Sequence, residues 1–183
     1  MNHEATLGFD DTALGRGLPA EVEALIARAG ALRHAPPQAE ALLLQARAMA
    51  PTHPAPLIAL YRFHFYGHRL REARAVAQQA LAVAREALGP AFGRVPPSNE
   101  QARFDAAVRF YLFTLKGQAY LSLRLGEIDA GRAALAELRR LDPQDCVGGA
   151  VLAQVLGRQG RSDDDEGFDA ARTPRGWSPE VPA

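Results

Sequence analysis

His64 and His68 stand one helical turn apart, a spacing that can bring two imidazoles to one metal ion. The metalloprotease arrangement also needs a glutamate between them. Here the intervening residues are Phe65, Tyr66 and Gly67, and Gly67 predicts a helix end before His68. The pair therefore reads as one packed and one solvent-facing histidine. Ser98, Ser122, Ser162 and Ser178 lie near no nucleophile elbow and in no Ser-His-Asp order. Asp163, Asp164, Asp165 and Glu166 lack the alternation and glycine of a calcium loop, which leaves a solvated acidic run. Gly15, Gly17 and Ala20 copy the spacing of a dinucleotide loop, but no strand precedes them and no acidic partner follows on a second strand. Lys116 is the sole lysine and therefore the one candidate for lysine-based catalysis. Cys146, the sole cysteine, excludes an internal disulfide and a cysteine-based zinc site. The chain is thus expected to use no cofactor or metal and to be a binding scaffold rather than an enzyme.

The elements that would position a binding surface are helical. The 183 residues suffice for one domain with a sizeable core, and 48% of them are apolar, with alanine abundant and β-branched residues scarce. Twenty-one basic residues balance 21 acidic ones, so no global field favours nucleic acid or an anionic membrane. The N-terminus lacks a secretory pattern and no apolar run could span a bilayer, so a cytoplasmic protein is expected, with no nucleic-acid or membrane partner.

The expected architecture is all-α, about seven helices in stacked antiparallel pairs. Residues 1–17 read as a flexible arm, 18–160 as the helical domain with an insertion over 89–98, and 161–183 as an acidic, proline-containing tail. Pro19 predicts the start of a first helix that Gly30 ends, with Val22, Leu25, Ile26 and Ala29 as its apolar stripe. A second runs from Pro36 or Pro37 to Ala50, before Pro51. Residues 54–88 then read as a hairpin broken near Gly67. Bulky Leu57, Leu60, Tyr61, His64 and Phe65 on its first arm meet the smaller Ala73, Val76, Ala77 and Ala80 of its second. Ser98 and Gln101 form a capping box for a long helix from about Asn99 to Leu125, carrying Phe104, Val108, Tyr111, Leu112 and Leu115 and closed by Gly126. Helices from Glu127 to Leu141 and after Asp145 follow.

Arg62, Arg69, Arg71 and Arg74 cluster near the central turn, while Tyr61, Phe63, Phe65, Tyr66, Phe110, Tyr111, Phe113 and Tyr120 crowd two helices. Most of these rings must be core, but they are too many for one face, and Tyr and Arg are favoured at interface hot spots. Trp177 in the polar tail reads as a peptide anchor or as a residue tucked against the body.

Ala39, Leu43, Ala46 and Pro51 share their spacings with Gly131, Leu135, Leu138 and Pro143. This resembles the second-helix signature of the tetratricopeptide repeat, and Phe113, Gly117 and Tyr120 resemble its first-helix pattern. Tyr61 departs from it, standing where that family usually has glycine. The resemblance implies a helical-repeat scaffold in which Arg62, Phe65, Tyr66, Tyr111 and Gln118 face a groove. The asparagine and lysine clamp of chaperone-tail-binding repeats is absent. More narrowly, LIALYRFHFYGHRLREA and RFYLFTLKGQAYL resemble the nitrogenase-associated factor T type, small repeat proteins encoded among nitrogen-fixation genes. That resemblance implies docking on the nitrogenase molybdenum–iron protein. The expected function is therefore a non-catalytic accessory or assembly factor that binds a larger protein, with partner-binding residues Arg62, Phe65, Tyr66, Arg69, Tyr111, Gln118 and Trp177. The alternatives are a chaperone that cradles an extended client peptide in its groove, and an enzyme whose site leaves no mark in the sequence.

Overall fold

The computed structural model describes residues 17–154 and residue 156. Gly15, the greater part of the N-terminal arm, the acidic run at 163–166 and Trp177 lie outside the described residues.

Prolines and short turns cut the chain into α1 (Ala20–Ala31), α2 (Pro36–Met49), α3 (Pro54–Tyr66), α4 (Leu70–Leu88), α5 (Asn99–Phe104), α6 (Ala106–Arg124) and α7 (Ile128–Leu141). Residues 150–154 and 156 are helical as well, and no strand occurs among the described residues. Each helix except the short α5 packs on its predecessor, so α1 to α4 form successive antiparallel neighbours and α6 then packs on α4 and carries α7. The fold is all-α, built of stacked helix pairs. Gly30 lies within α1 rather than ending it, and Pro19 stands just outside as the N-cap.

The hairpin of α3 and α4 packs large residues against small ones. Leu57, Leu60, Tyr61 and His64 are buried on α3, and Ala73, Val76, Ala77 and Ala80 on α4. The alanines let the helix axes approach, and the leucines fill the space that remains. The repeated signature is buried in both copies: Ala39, Leu43 and Ala46 in α2, Gly131, Leu135 and Leu138 in α7. Gly131 has a packing reason, since a Cβ there would meet Leu123 Cδ2 at 2.5 Å.

Two of the turns have the same backbone. In the first, Gly67 (φ −79, ψ 6), His68 (φ 58) and Arg69 (φ −90, ψ 68) link α3 to α4. In the second, Leu125 (φ −89, ψ 1), Gly126 (φ 78) and Glu127 (φ −86, ψ 68) link α6 to α7. Their hydrogen bonds correspond: Arg69 N–H donates to the His64 carbonyl at 2.9 Å, and Glu127 N–H to that of Ser122 at 2.9 Å. This six-to-one bond around one left-handed residue satisfies helix-end carbonyls that would otherwise lack a donor.

The long helix expected from Asn99 is broken. Asp105 adopts an extended conformation (φ −77, ψ 118), ends α5, and caps α6 by accepting the Val108 N–H at 2.9 Å. Phe104 is consequently 77% exposed rather than part of the core stripe. The Ser98–Gln101 capping box that opens α5 is present with both of its hydrogen bonds. Before it, residues 89–98 form an irregular segment whose Phe92 packs edge-on against Tyr111, with centroids 5.0 Å apart.

Beyond α7, Asp142 is buried and its carboxylate accepts the Cys146 and Val147 N–H groups, each at 2.9 Å. Lys116 ties the same loop to α6 by donating to the Val147 carbonyl at 2.7 Å. No helix of the described residues is long and apolar enough to cross a membrane.

Candidate functional site

The Tyr61 side chain of α3 reaches Gly117 of α6. A Cβ on Gly117 would lie 2.9 Å from the Tyr61 hydroxyl, so the glycine is what admits the ring. Glycine on α6 thus complements the tyrosine that stands on α3 where the repeat pattern has glycine. Burial pushes the Tyr61 phenol above its ordinary range, so it stays protonated.

From this contact an aromatic chain runs to the surface. Phe65 stacks on Tyr61 with centroids 5.7 Å apart and planes 11° apart, and meets Tyr120 of α6 at 5.8 Å. Tyr66 meets the edge of Phe65 at 5.5 Å and is itself 56% exposed. Arg124 donates to the Tyr120 hydroxyl at 2.7 Å while its guanidinium lies 5.7 Å from that ring's centroid.

The matched turns relate these residues to one another. Arg62 and Tyr66 precede His68 by six and two residues; Tyr120 and Arg124 precede Gly126 by six and two. Each helix therefore carries one arginine and one tyrosine at the same two places, in reversed order. Along α6, Arg109, Phe113, Lys116 and Tyr120 recur at spacings of four, three and four, which puts them on one helix face. All four are partly exposed, while most of the rest of α6 is buried. Arg109 and Lys116 lie 5.2 and 5.8 Å from the centroid of Phe113. Charge is segregated as well. α3 and α6 contain no aspartate or glutamate, whereas each of the other five helices contains at least one.

The expected site residues separate on this geometry. Arg62, Phe65 and Tyr66 belong to the face, Arg62 and Tyr66 as exposed residues and Phe65 as their half-buried support. Tyr111 does not. It is 2% exposed, receives a hydrogen bond from Arg85 and is covered by Phe92. Gln118 points away from the face too, with its Oε1 enclosed. Arg69 works within the fold: it donates to Glu40 on α2 at 2.6 Å and to Glu72 at 3.1 Å, tying the central turn to the preceding helix pair. Its guanidinium holds the Glu40 carboxyl below the usual carboxylate range. Arg109, Lys116 and Arg124 were not singled out as binding residues. The signal that could have found them is a 19-residue helix with three cations and no carboxylate.

The two histidines also separate. His64 is 5% exposed with Nδ1 enclosed and without a hydrogen-bond partner, and His68 is exposed in the turn. Burial, followed by the charge of Arg69, lowers the His64 pKa, while the Glu40 and Glu72 carboxylates oppose the shift. No group of three His, Cys, Asp or Glu side chains able to hold a metal occurs among the described residues. What the α3–α6 face offers chemically is recognition: exposed rings for apolar contact and guanidinium groups for carboxylates.

No protein-family model matches the chain, and no solved structure matches it. A curated protein of Azotobacter chroococcum mcd 1, the "Uncharacterized 19.8 kDa protein in nifW 5'region", is 37% identical over 129 residues, which cover 64% of this chain and 69% of that protein.

Proposed function

This chain belongs to the family of the 19.8 kDa nifW 5'-region protein of Azotobacter chroococcum, and on that premise we propose that it is a non-catalytic accessory factor in nitrogen fixation that docks on a larger protein. The observation that carries the docking reading is the exposed arginine–tyrosine surface shared by α3 and α6 at equivalent positions relative to their turns. Side chains of these two types combine large contact area with directional hydrogen bonds, which is why they concentrate at interface hot spots. The corresponding turns and the two buried copies of the small–bulky–small pattern support a tetratricopeptide-like stack as the scaffold. In the finer form of this reading, the larger protein is the nitrogenase molybdenum–iron protein.

The test is co-migration. The tagged chain is expressed in nitrogen-fixing cells, and extracts are resolved by size exclusion and probed for the molybdenum–iron protein. The expected result is a shared high-mass fraction that the Arg62→Ala, Tyr66→Ala double variant leaves while keeping its helical spectrum. A chain that always elutes alone overturns the docking reading. Association that survives the double variant moves the interface elsewhere.

A further inference from the structure

We propose that the interface between α4 and α6 binds a file of buried water molecules, held by Thr114, Gln118 and Ser122. It stands apart from the docking reading and does not depend on it.

Three enclosed side-chain atoms of α6, Thr114 Oγ1, Gln118 Oε1 and Ser122 Oγ, have no hydrogen-bond partner among the described residues. Thr114 and Ser122 are 3% and 1% exposed, so bulk solvent does not serve them. A buried polar group without a partner costs the full desolvation of that group, which is why such groups normally hold ordered water. The three are not scattered. They recur at a spacing of four residues, which stacks them in one row along the helix.

The other contacts of α6 identify the neighbour that this row meets. Gly117 faces Tyr61 of α3, Leu123 faces Gly131 of α7, and Tyr111 receives its hydrogen bond from Arg85 of α4. At about 100° per residue, Gln118 and Ser122 lie about 20° from Tyr111 around the helix and Thr114 about 60°. Gly117 and Leu123 are each about 120° away, on opposite sides. The row therefore faces α4. There Ala73, Ala77, Ala80 and Ala84 are buried, and their methyl groups neither donate nor accept. Polar contacts bracket the row: Arg85 with Tyr111 at one end, and Arg74 paired with Glu127 at the other.

The chemistry of the row selects a small neutral ligand that both donates and accepts. The two hydroxyls can do either, and the amide presents an acceptor or, turned over, a donor. No carboxylate or cation belongs to the row, so an ion there would be buried without a counter-charge. Successive members rise about 6 Å along the axis, twice the length of a hydrogen bond of about 3 Å. One water between neighbours spans that step, and the short alanines of α4 spare the room that longer side chains would fill. A larger ligand does not fit between helices whose axes pack about 8–10 Å apart.

The test combines a high-resolution crystal structure of the full-length protein with magnetic relaxation dispersion of water deuterons, which counts long-lived bound waters in solution. The expected result is ordered water bonded at about 3 Å to Thr114 Oγ1, to Ser122 Oγ and to the Gln118 amide. Buried waters occur at about one per 27 residues, so waters elsewhere contribute and the difference between variants is what counts. Thr114→Val with Ser122→Ala should remove the row from the crystal and lower the dispersion signal by about two waters. Thr114→Ser, which keeps the hydroxyl, should retain it, and Gln79→Ala, exposed on α4, should leave it unchanged. Circular dichroism confirms that each variant is folded. Should the double variant not fold, Thr114→Val alone carries the test, with a loss of about one water.

A crystal structure in which Thr114 Oγ1 and Ser122 Oγ donate to the carbonyls one turn back, with no water beside them, overturns the proposal. So does a dispersion signal that is the same in the unaltered chain and in a folded hydroxyl-free variant. Density for an ion or an organic molecule along the row would assign the site to another ligand and overturn it as well.

Discussion

His68 and Gly126 occupy the same left-handed position in two hairpins, at φ 58 and φ 78, each followed by a residue whose N–H reaches back to the carbonyl five residues earlier. Glycine adopts this region without steric cost, whereas a side chain pays about 1–2 kcal/mol for it. His68 is exposed in its turn, so the cost is not hidden by packing. His68→Gly should stabilise the fold by about 0.5–1 kcal/mol once the greater freedom of glycine in the unfolded chain is subtracted. Gly126→His should destabilise it by about 1 kcal/mol, since a Cβ there meets nothing within 4 Å and only the backbone term acts. Urea unfolding midpoints of the two variants check both signs.

Tyr61 and Gly117 form one packing unit, and their coupling is measurable. Gly117→Leu should cost about 1–3 kcal/mol by overpacking against the ring. Gly117→Ala sets a similar clash against a gain of about 1 kcal/mol in helix propensity, so it should be near neutral by itself. In a Tyr61→Phe background the 2.9 Å contact to the hydroxyl is gone and the nearest ring atom stands at 3.4 Å. There Gly117→Ala should stabilise, and the double-mutant cycle should show coupling of about 1 kcal/mol. Zero coupling would mean that the two residues do not touch.

His64 and its charged neighbours set a direction for acid unfolding. Burial depresses the His64 pKa below its ordinary value of 6.5, so the unfolded chain takes up that proton first. Stability should therefore begin to fall as pH drops below about 6.5 and keep falling until the folded-state pKa is passed. Glu40, held low by its hydrogen bond to Arg69, and Glu72, held low by backbone and Arg69 hydrogen bonds, add a second loss below their ordinary value of 4.5. His64→Leu should flatten the first limb and leave the second. Denaturant midpoints measured across about pH 2–8 separate the two, and an unchanged upper limb in the variant would assign it to another group.

Much of the fold was legible because prolines and periodic apolar residues act locally. Pro36, Pro54 and the Ser98 capping box mark helix starts that depend on the chain's own neighbours. The break at Asp105 was not legible. Aspartate inside an apolar-periodic run reads as a surface residue, and only its bond to the Val108 N–H shows it to be a cap. Tyr111 was misplaced for a different reason. The phase of a single helix identifies its most apolar side, but α6 packs against α4, α5 and α7, and Phe92 of the irregular segment closes over the tyrosine as well. A helix covered from several directions buries rings that its own pattern would leave outside. The cations of α6 drew no notice because each alone is ordinary, and the lack of carboxylates in both α3 and α6 is visible only once the helix bounds are known.

The docking face makes a last prediction, one that separates support from contact. Phe65 is held between Tyr61 and Tyr120, so Phe65→Ala removes packing on both sides and should destabilise the fold by about 2–4 kcal/mol, near the low end for a half-buried ring. Tyr66, 56% exposed and touching Phe65 only by its edge, should change stability by no more than about 0.5 kcal/mol when truncated to alanine. In binding to the co-migrating partner the order should reverse in meaning: Tyr66→Ala should cost about 2 kcal/mol as a surface anchor while the protein melts normally. Any loss with Phe65→Ala should instead track the fraction unfolded. Calorimetric titration together with thermal melts of both variants reads this out. If Tyr66→Ala binds normally and only destabilised variants lose the partner, the rings of α3 serve the core, and the docking surface must be sought away from the α3–α6 face.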